Sequence, residues 1–285
     1  MDSDSVARAV VAVRSLASAL DLAVYNVAVI QNSNKLALHL QPCDVFARVA
    51  PMGQEVAEFE VELAQRLVAA GSPVAALEAR VEPRVYQHDG FVLTLWTYYD
   101  RKIPNALWQT DYALALERLH LGMRTIDTAT PHFTDRVEEA LRLVANRHQT
   151  PALDPAGRAL LLGTLNSARQ KIERSGAVEQ LLHGEPHPGN VLNTVRGPIF
   201  IDLETCCRGP VEFDVAHVPD DVSKQYPGLD LDLLDECRRL VLAMVAAWRW
   251  DVDDQFPDGL RHGRAILALL RAGPPWPTLG ELGSR

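Results

Sequence analysis

Cysteine is scarce in this chain and shows no pattern. Cys43, Cys206, Cys207 and Cys237 lack the paired spacing of a zinc site, and the two adjacent cysteines are poorly placed to bridge each other. Reduced thiols inside the fold are the expectation. No apolar run approaches the ~20 residues of a membrane-spanning helix, and the N-terminus carries Asp2 and Asp4 in place of a basic and then apolar leader. These absences predict a cytoplasmic protein with no membrane partner. Positive charge is also in deficit. With 28 Lys and Arg against 37 Asp and Glu, the formal net charge is -9, which argues against a nucleic-acid partner and favours a cationic one. There is no internal repeat and no low-complexity linker, so repeat architectures are excluded. What is present is apolar content: 47% of 285 residues is enough to bury the core of one large domain or of two lobes.

The most informative stretch runs Leu181-Leu182-His183-Gly184-Glu185-Pro186-His187-Pro188-Gly189-Asn190-Val191-Leu192, with Ile199-Phe200-Ile201-Asp202-Leu203-Glu204 just downstream. Two apolar runs, Val191 to Val195 and Ile199 to Leu203, flank Arg196-Gly197-Pro198, so a tight hairpin is predicted after a loop that gathers His, Glu, His and Asn. Glu185 stands five residues before Asn190, and Asp202 follows twelve residues later at the end of a strand. That spacing matches the parts used in phosphoryl transfer by protein kinases. There, one carboxylate orients the acceptor hydroxyl and takes its proton, while an Asn and an Asp hold Mg²⁺ against the nucleotide phosphates.

The same residues resemble the aminoglycoside phosphotransferase and choline kinase-like family, whose members usually carry His-Gly-Asp-x-His-x-x-Asn and then Ile-Asp-[Phe/Trp/Leu]-Glu. Here the motif reads His183-Gly184-Glu185-Pro186-His187-Pro188-Gly189-Asn190, then Ile201-Asp202-Leu203-Glu204, then Gly209-Pro210-Val211-Glu212-Phe213-Asp214. One position departs, since Glu185 sits where the family has Asp. The resemblance implies an α+β, two-lobed protein-kinase-like fold. A nucleotide-binding lobe with a small antiparallel sheet would span residues 1–98, and a mostly helical catalytic and acceptor-binding lobe residues 99–285. It also implies transfer of the γ-phosphoryl group of ATP or GTP to a hydroxyl of a small molecule. Glu185 would be the base or orienter, with Asn190 and Asp202 as the Mg²⁺ ligands. The alternative is a nucleotide-binding regulator without transferase activity.

Along the chain, Val6, Val10, Val13, Leu16, Ala17 and Leu20 recur at helical spacing behind Asp2, Ser3 and Ser5 as candidate caps. Three antiparallel strands are predicted at Val24–Ile30, Lys35–Leu40 and Val45–Val49. The Gln31-Asn32-Ser33-Asn34 turn joins the first two. Asn and Ser are ordinary turn formers, and in the resembled family a Ser-Asn pair here covers the nucleotide phosphates, which nominates Ser33 and Asn34. No glycine-rich loop occurs at this place, unlike protein kinases. The resemblance makes Arg48, on the third strand, the cation for the phosphates and Glu60, on the following helix, its ion-pair partner, with Glu62 as the alternative. Arg in place of the usual Lys is chemically acceptable because its planar fork satisfies phosphate and carboxylate together.

A further hairpin is predicted from Val81–Tyr86 and Phe91–Trp96 around Gln87-His88-Asp89-Gly90. The next residues resemble a kinase hinge, with Trp96 and Tyr98 as liners of the adenine site. Helices are predicted over Leu107–Leu121, Phe133–His148, Ala156–Ser175, Leu231–Trp250 and Gly259–Ala272. Asp220, Asp221, Asp230, Asp232, Asp235, Glu236, Asp251, Asp253 and Asp254 form an acidic run around Trp248 and Trp250. It would suit a cationic, aminoglycoside-like acceptor; solvated helix faces in an acidic protein account for it as well.

Overall fold

The computed structural model describes residues 1–33, 35–53, 56–103 and 108–282. The chain forms two compact units, Met1–Pro104 with Leu192–Glu204, and Asn105–Val191 with Thr205–Arg285.

In the first unit, α1 (Ser3–Ala19) starts where the Asp2 carboxylate accepts the Ser5 N–H at 2.7 Å. Strands β1 (Val24–Asn32), β2 (Leu36–Pro42) and β3 (Val45–Pro51) follow, then helix α2 (Val56–Ala69) and strands β4 (Tyr86–His88) and β5 (Phe91–Thr97). They make a five-stranded antiparallel sheet in the order β1-β2-β3-β5-β4. Strand period decides which side chain goes where. Leu36, Leu38, Leu40, Val45, Ala47, Val49, Leu93 and Leu95 are buried in one cluster with Ala9, Ala12, Val13 and Leu16 of α1. The alternate positions Arg48, Ala50, Val92 and Thr94 share a cavity with Ala57 and Glu60 of α2. A polar site can therefore exist on one face of the sheet because the other face is sealed by α1.

The predicted Val81–Tyr86 strand is shorter and later than the pattern suggests. Only Tyr86, Gln87 and His88 pair with β5, around a two-residue Asp89-Gly90 turn in which both φ angles are positive, +47° and +81°. Pro83, with no N–H to give, stands in the stretch that the pattern assigned to strand.

The second unit opens with α3 (Trp108–Met123), α4 (Phe133–Ala145) and α5 (Pro155–Arg174), then strand β6 (Glu179–Leu182). His132 and Asp135 form a capping box on α4, and Asp154 with Pro155 starts α5. The chain then runs into the first unit as the hairpin β7 (Val191–Thr194) and β8 (Gly197–Phe200). Phe200 ties that hairpin down, donating its N–H to the Pro73 carbonyl at 2.8 Å and accepting from the Ala75 N–H at 2.9 Å. The hairpin turn is shifted from the expected Arg196-Gly197-Pro198 to Val195-Arg196, with Gly197 and Pro198 inside β8. A two-stranded ribbon leaves an outer edge on which Pro198 needs no donor.

Strand β9 (Cys207–Pro210) pairs antiparallel with β6, Leu182 opposite Cys207. Helices α6 (Val211–Val215), α7 (Asp220–Ser223), α8 (Leu231–Arg249), α9 (Gly259–Ala272) and α10 (Leu279–Leu282) complete the unit. Its centre is α8, which buries Leu233, Leu234, Cys237, Leu240, Val241 and Met244 and packs on α4, α5, α6 and α9. Among the described residues the four cysteines are free thiols, and no helix is long and apolar enough to cross a membrane.

Candidate functional site

The first unit brings Lys35, Arg48, Glu60, Asp202 and Glu204 into one charge network. Arg48, in the middle of β3, uses both ends of its guanidinium: Nη1 donates to Glu60 Oε1 at 2.5 Å and Nη2 to Asp202 Oδ1 at 2.8 Å. Glu60 is 2% exposed. Its Oε1 also accepts the Leu203 N–H at 3.2 Å, which anchors the backbone after Asp202. Burial works against the Arg48 charge, but Glu60 and Asp202 outweigh it and hold the pKa of Arg48 above its ordinary value. Burial pushes the Glu60 carboxyl up, against the pull of Arg48 and Lys35. Asp202 has φ +69°, the left-handed region that a short polar side chain tolerates best after glycine. It follows the end of β8 by two residues, so it sits in a strained turn beyond the strand.

Lys35 and Glu204 complete the network, and the sequence reading gave neither this place. The Lys35 ammonium bonds the Glu204 carboxylate and lies 3.9 Å from Glu60 Oε2. A lysine before a strand, next to a polar turn, carries no special pattern; only the β2–β3 register, with Ala37 opposite Arg48, reveals that Lys35 shares a face with Arg48. Two cations and three carboxylates give the group a net charge of -1 when all are ionised. Thr94, on β5, lines the same cavity and accepts the Trp96 Nε1–H at 2.8 Å.

The other residues nominated for the nucleotide are placed as follows. Ser33 accepts from Gln31 Nε2 at 3.2 Å, and Asn34 lies outside the described residues. Trp96 is buried, and the Tyr98 ring stacks on His39 at 3.5 Å with the rings nearly parallel. The N–H groups that follow Trp96 are engaged: Thr97 donates to Ala76 at 2.9 Å and Tyr98 to Asp44 at 3.2 Å.

In the second unit the His-Gly-Glu loop is held from behind by Asp214. This buried carboxylate accepts the N–H of His183 and of Gly184, each at 2.8 Å, and bonds His120 Nε2 at 2.9 Å. Burial raises its pKa, but the His120 bond and the surrounding imidazoles prevail and lower it. Asp214 thus caps the loop. Gly184 has φ +88°, and a Cβ there would strike the Thr205 carbonyl oxygen, so glycine is demanded twice over. His183 Nδ1 accepts the Glu185 N–H at 3.4 Å, and His187 Nδ1 accepts the Gly189 N–H at 3.0 Å; both brace the loop. Asn190, at the end of a 3₁₀ turn, donates Nδ2 to the Glu185 carbonyl at 3.0 Å, which turns its oxygen away from that bond.

Glu185 is not an isolated carboxylate. It forms an ion pair with Arg136 of α4, whose guanidinium lies over the Trp248 ring with 5.2 Å to the centroid. Burial pushes the Glu185 pKa up, but Arg136, with smaller contributions from His217 and His187, more than compensates and the pKa is lowered. Arg136 had no signal in the sequence, because an arginine on an amphipathic helix is ordinary. His217 is wholly buried nearby, gives Nδ1 to the Phe213 carbonyl at 2.8 Å, and is driven down to about 4 by burial. Three of the nine carboxylates of the acidic run form ion pairs within their own unit. Asp220 pairs with Arg238 and Lys224, Glu236 with Lys171 and Arg239, and Asp254 with Arg249, while Asp230 caps α8.

Among the described residues no three His, Cys, Asp or Glu side chains could hold a metal by themselves. Each unit also carries an oxygen donor of the kind Mg²⁺ takes with waters and substrate phosphates, the Asp202 carboxylate in the first and the Asn190 amide in the second.

Residues 30–248 match the phosphotransferase enzyme family. Sequence comparison with the curated proteins finds no match. Similar solved structures include the amicoumacin kinase hAmiN with AMP-PNP, Ca²⁺ and its antibiotic, at 16% identity and TM-score 0.70, covering 100% of this chain and 99% of that one. The GDP complex of aminoglycoside 2'-phosphotransferase-IIIa has 15% identity and TM-score 0.67, covering 91% and 97%. Choline kinase LicA from Streptococcus pneumoniae has 13% identity and TM-score 0.66, covering 92% and 98%. At these identities the likeness is one of fold, and it is the α+β kinase-like fold that the motifs implied.

Proposed function

This chain belongs to the phosphotransferase enzyme family, and on that premise we propose that it moves the γ-phosphoryl group of ATP or GTP to a hydroxyl of a small molecule. The observation that carries the reading is the bonded set of Arg48, Glu60 and Asp202, a strand cation joined to a helix carboxylate and to the Asp of Ile-Asp-Leu-Glu. In the transfer, the acceptor oxygen bonds to phosphorus as the bond to the β-phosphate oxygen breaks. The electron pair leaves on the nucleoside diphosphate, and the hydroxyl proton passes to Glu185. Bound Mg²⁺ would neutralise charge on the phosphates, and we assign its protein oxygens to Asp202 and Asn190.

Ser33 and Asn34 we assign to the phosphate end of the nucleotide, with Arg48 and Glu60 ordering that end; Trp96 and Tyr98 border its base. A Glu185 carboxylate kept ionised by Arg136 is a weak base, which suits a loose transition state where positioning matters more than early proton removal. The internal pairing of Asp220, Glu236 and Asp254 lowers the support for a polycationic acceptor, so the acceptor is assigned only as a hydroxylated small molecule.

The Glu185–Arg136 pair favours a second reading, a nucleotide-binding regulator without transfer. Both are tested by phosphate transfer from ATP and GTP with Mg²⁺ over aminoglycosides, aminocyclitols and choline analogues. Transfer to any of these that is lost in Asp202→Ala supports the enzyme. Nucleotide binding with no transfer supports the regulator, and Mg²⁺ dependence that survives Asp202→Ala removes that residue from the metal.

A further inference from the structure

We propose that Lys35 is the cation that contacts the phosphates of the bound nucleotide, and that Arg48 is a positioning residue committed to Glu60 and Asp202. This rests on the nucleotide reading above. Both terminal nitrogens of Arg48 already donate to carboxylates, at 2.5 and 2.8 Å. A guanidinium is a rigid fork with five N–H donors, two of them committed here; the remaining three can meet a phosphate only where the fork already stands, and swinging it towards one means abandoning a partner. One of those partners is the buried Glu60, which would then keep only the longer Lys35 contact, 3.9 Å, and stripping a buried charge of its close partner is the costly way to break an ion pair.

Lys35 is restrained less, by one close carboxylate in place of two. Its ammonium carries three rotatable donors on a flexible stem, lines the same cavity as Arg48 and Thr94, and is held by Glu204, which is 27% exposed. Its contact with Glu60 is longer, 3.9 Å, so exchanging the Glu204 carboxylate for a phosphate oxygen leaves Glu60 with its Arg48 partner intact. The β2–β3 register fixes the place: Lys35 is two residues from Ala37, which faces Arg48, so both cations lie on one side of the sheet. The cation usual on the third strand has in effect been divided, with the ordering role on Arg48 and the movable charge on the neighbouring strand.

The chain has only four lysines, Lys35, Lys102, Lys171 and Lys224, so a spectrum of ¹³C-labelled lysine side chains is readable on the intact protein. The Lys35 signal, identified by its loss in Lys35→Arg, should move when MgADP or MgATP is added and stay still with adenosine. In calorimetric titrations, Lys35→Gln should bind ATP and ADP about 10- to 100-fold more weakly, the worth of one charge-assisted hydrogen bond, while adenosine affinity is unchanged. Lys35→Arg should recover most of the loss. An unmoved Lys35 signal in a protein that binds ADP, or equal losses for ATP and adenosine, overturns the assignment to Lys35 alone. Failure of the wild-type chain to bind any nucleotide overturns the functional reading and this proposal with it.

Discussion

Replacing Arg136 by Met would keep the stem that covers Trp248 and remove only the charge. Both partners of the Arg136–Glu185 pair are largely buried, with side chains 17% and 23% exposed, so solvent screens the pair little. A hydrogen bond to a charged group contributes about 1.5–3 kcal/mol and the contact with the Trp248 face about 0.5–1. The expected cost of Arg136→Met near neutral pH is therefore about 3 kcal/mol. A double-mutant cycle with Glu185→Gln should assign about 2 kcal/mol of it to the pair itself.

The sign of the pH dependence is a second constraint on the same variant. In the wild type the Glu185 pKa is lowered from 4.5, so its stabilisation is present above that value and is lost as pH falls through the lower folded pKa. Arg136→Met removes the main group that offsets burial. The Glu185 pKa then rises above its ordinary value, and the gap between variant and wild type narrows as the solution is acidified. Urea unfolding of the four proteins of the cycle, repeated from neutral pH down to about the ordinary carboxylate pKa, reads both effects. A coupling under about 0.5 kcal/mol, or a gap that stays constant with pH, would show that Arg136 does not hold Glu185.

Gly184→Ala should cost about 3 kcal/mol or more, since its Cβ would meet the Thr205 backbone, whereas Gly189→Ala only has to displace the His187 ring and should cost about 1. Thermal unfolding of both variants checks this, and similar melting temperatures would refute the argument. His217 is held neutral, its pKa driven from 6.5 to about 4 by burial. The unfolded chain takes up a proton that the folded one refuses, so stability should fall by roughly 3 kcal/mol between those two pH values, and His217→Asn should flatten that limb. Parallel unfolding profiles for variant and wild type would exclude His217 as the source.

Local pattern carried most of the fold. The two-residue period of β2, β3 and β5 and the cap at Asp2 act over a few residues, and each is visible in the chain as written, whereas Asp230, which caps α8, was read only as part of an acidic run. The exceptions have local causes too, such as Pro83 before β4 and the ribbon edge that admits Pro198. The partners of the functional carboxylates were not visible, because they are set by tertiary contact. Arg48 and Asp202 are 154 residues apart, Lys35 and Glu204 169, and Arg136 and Glu185 49. The Arg48–Glu60 pair, 12 residues apart, was reachable only through the family resemblance.

Glu185 shows why that difference matters for chemistry. Read in the motif alone, its extra methylene looks like a displaced base, with a carboxylate about one carbon further out than the family's Asp. In the folded unit the loop backbone is fixed by Gly184 against Thr205 and by Asp214 behind His183, so the longer side chain cannot be absorbed by moving the loop back. The carboxylate is met at its new position by Arg136, which offsets the burial that the longer reach entails and keeps it ionised. A residue whose proton affinity is set by a partner on another helix can be shortened only together with that partner. Glu185→Asp by itself would therefore leave Arg136 facing a gap, and restoring the family residue should not restore the family's site.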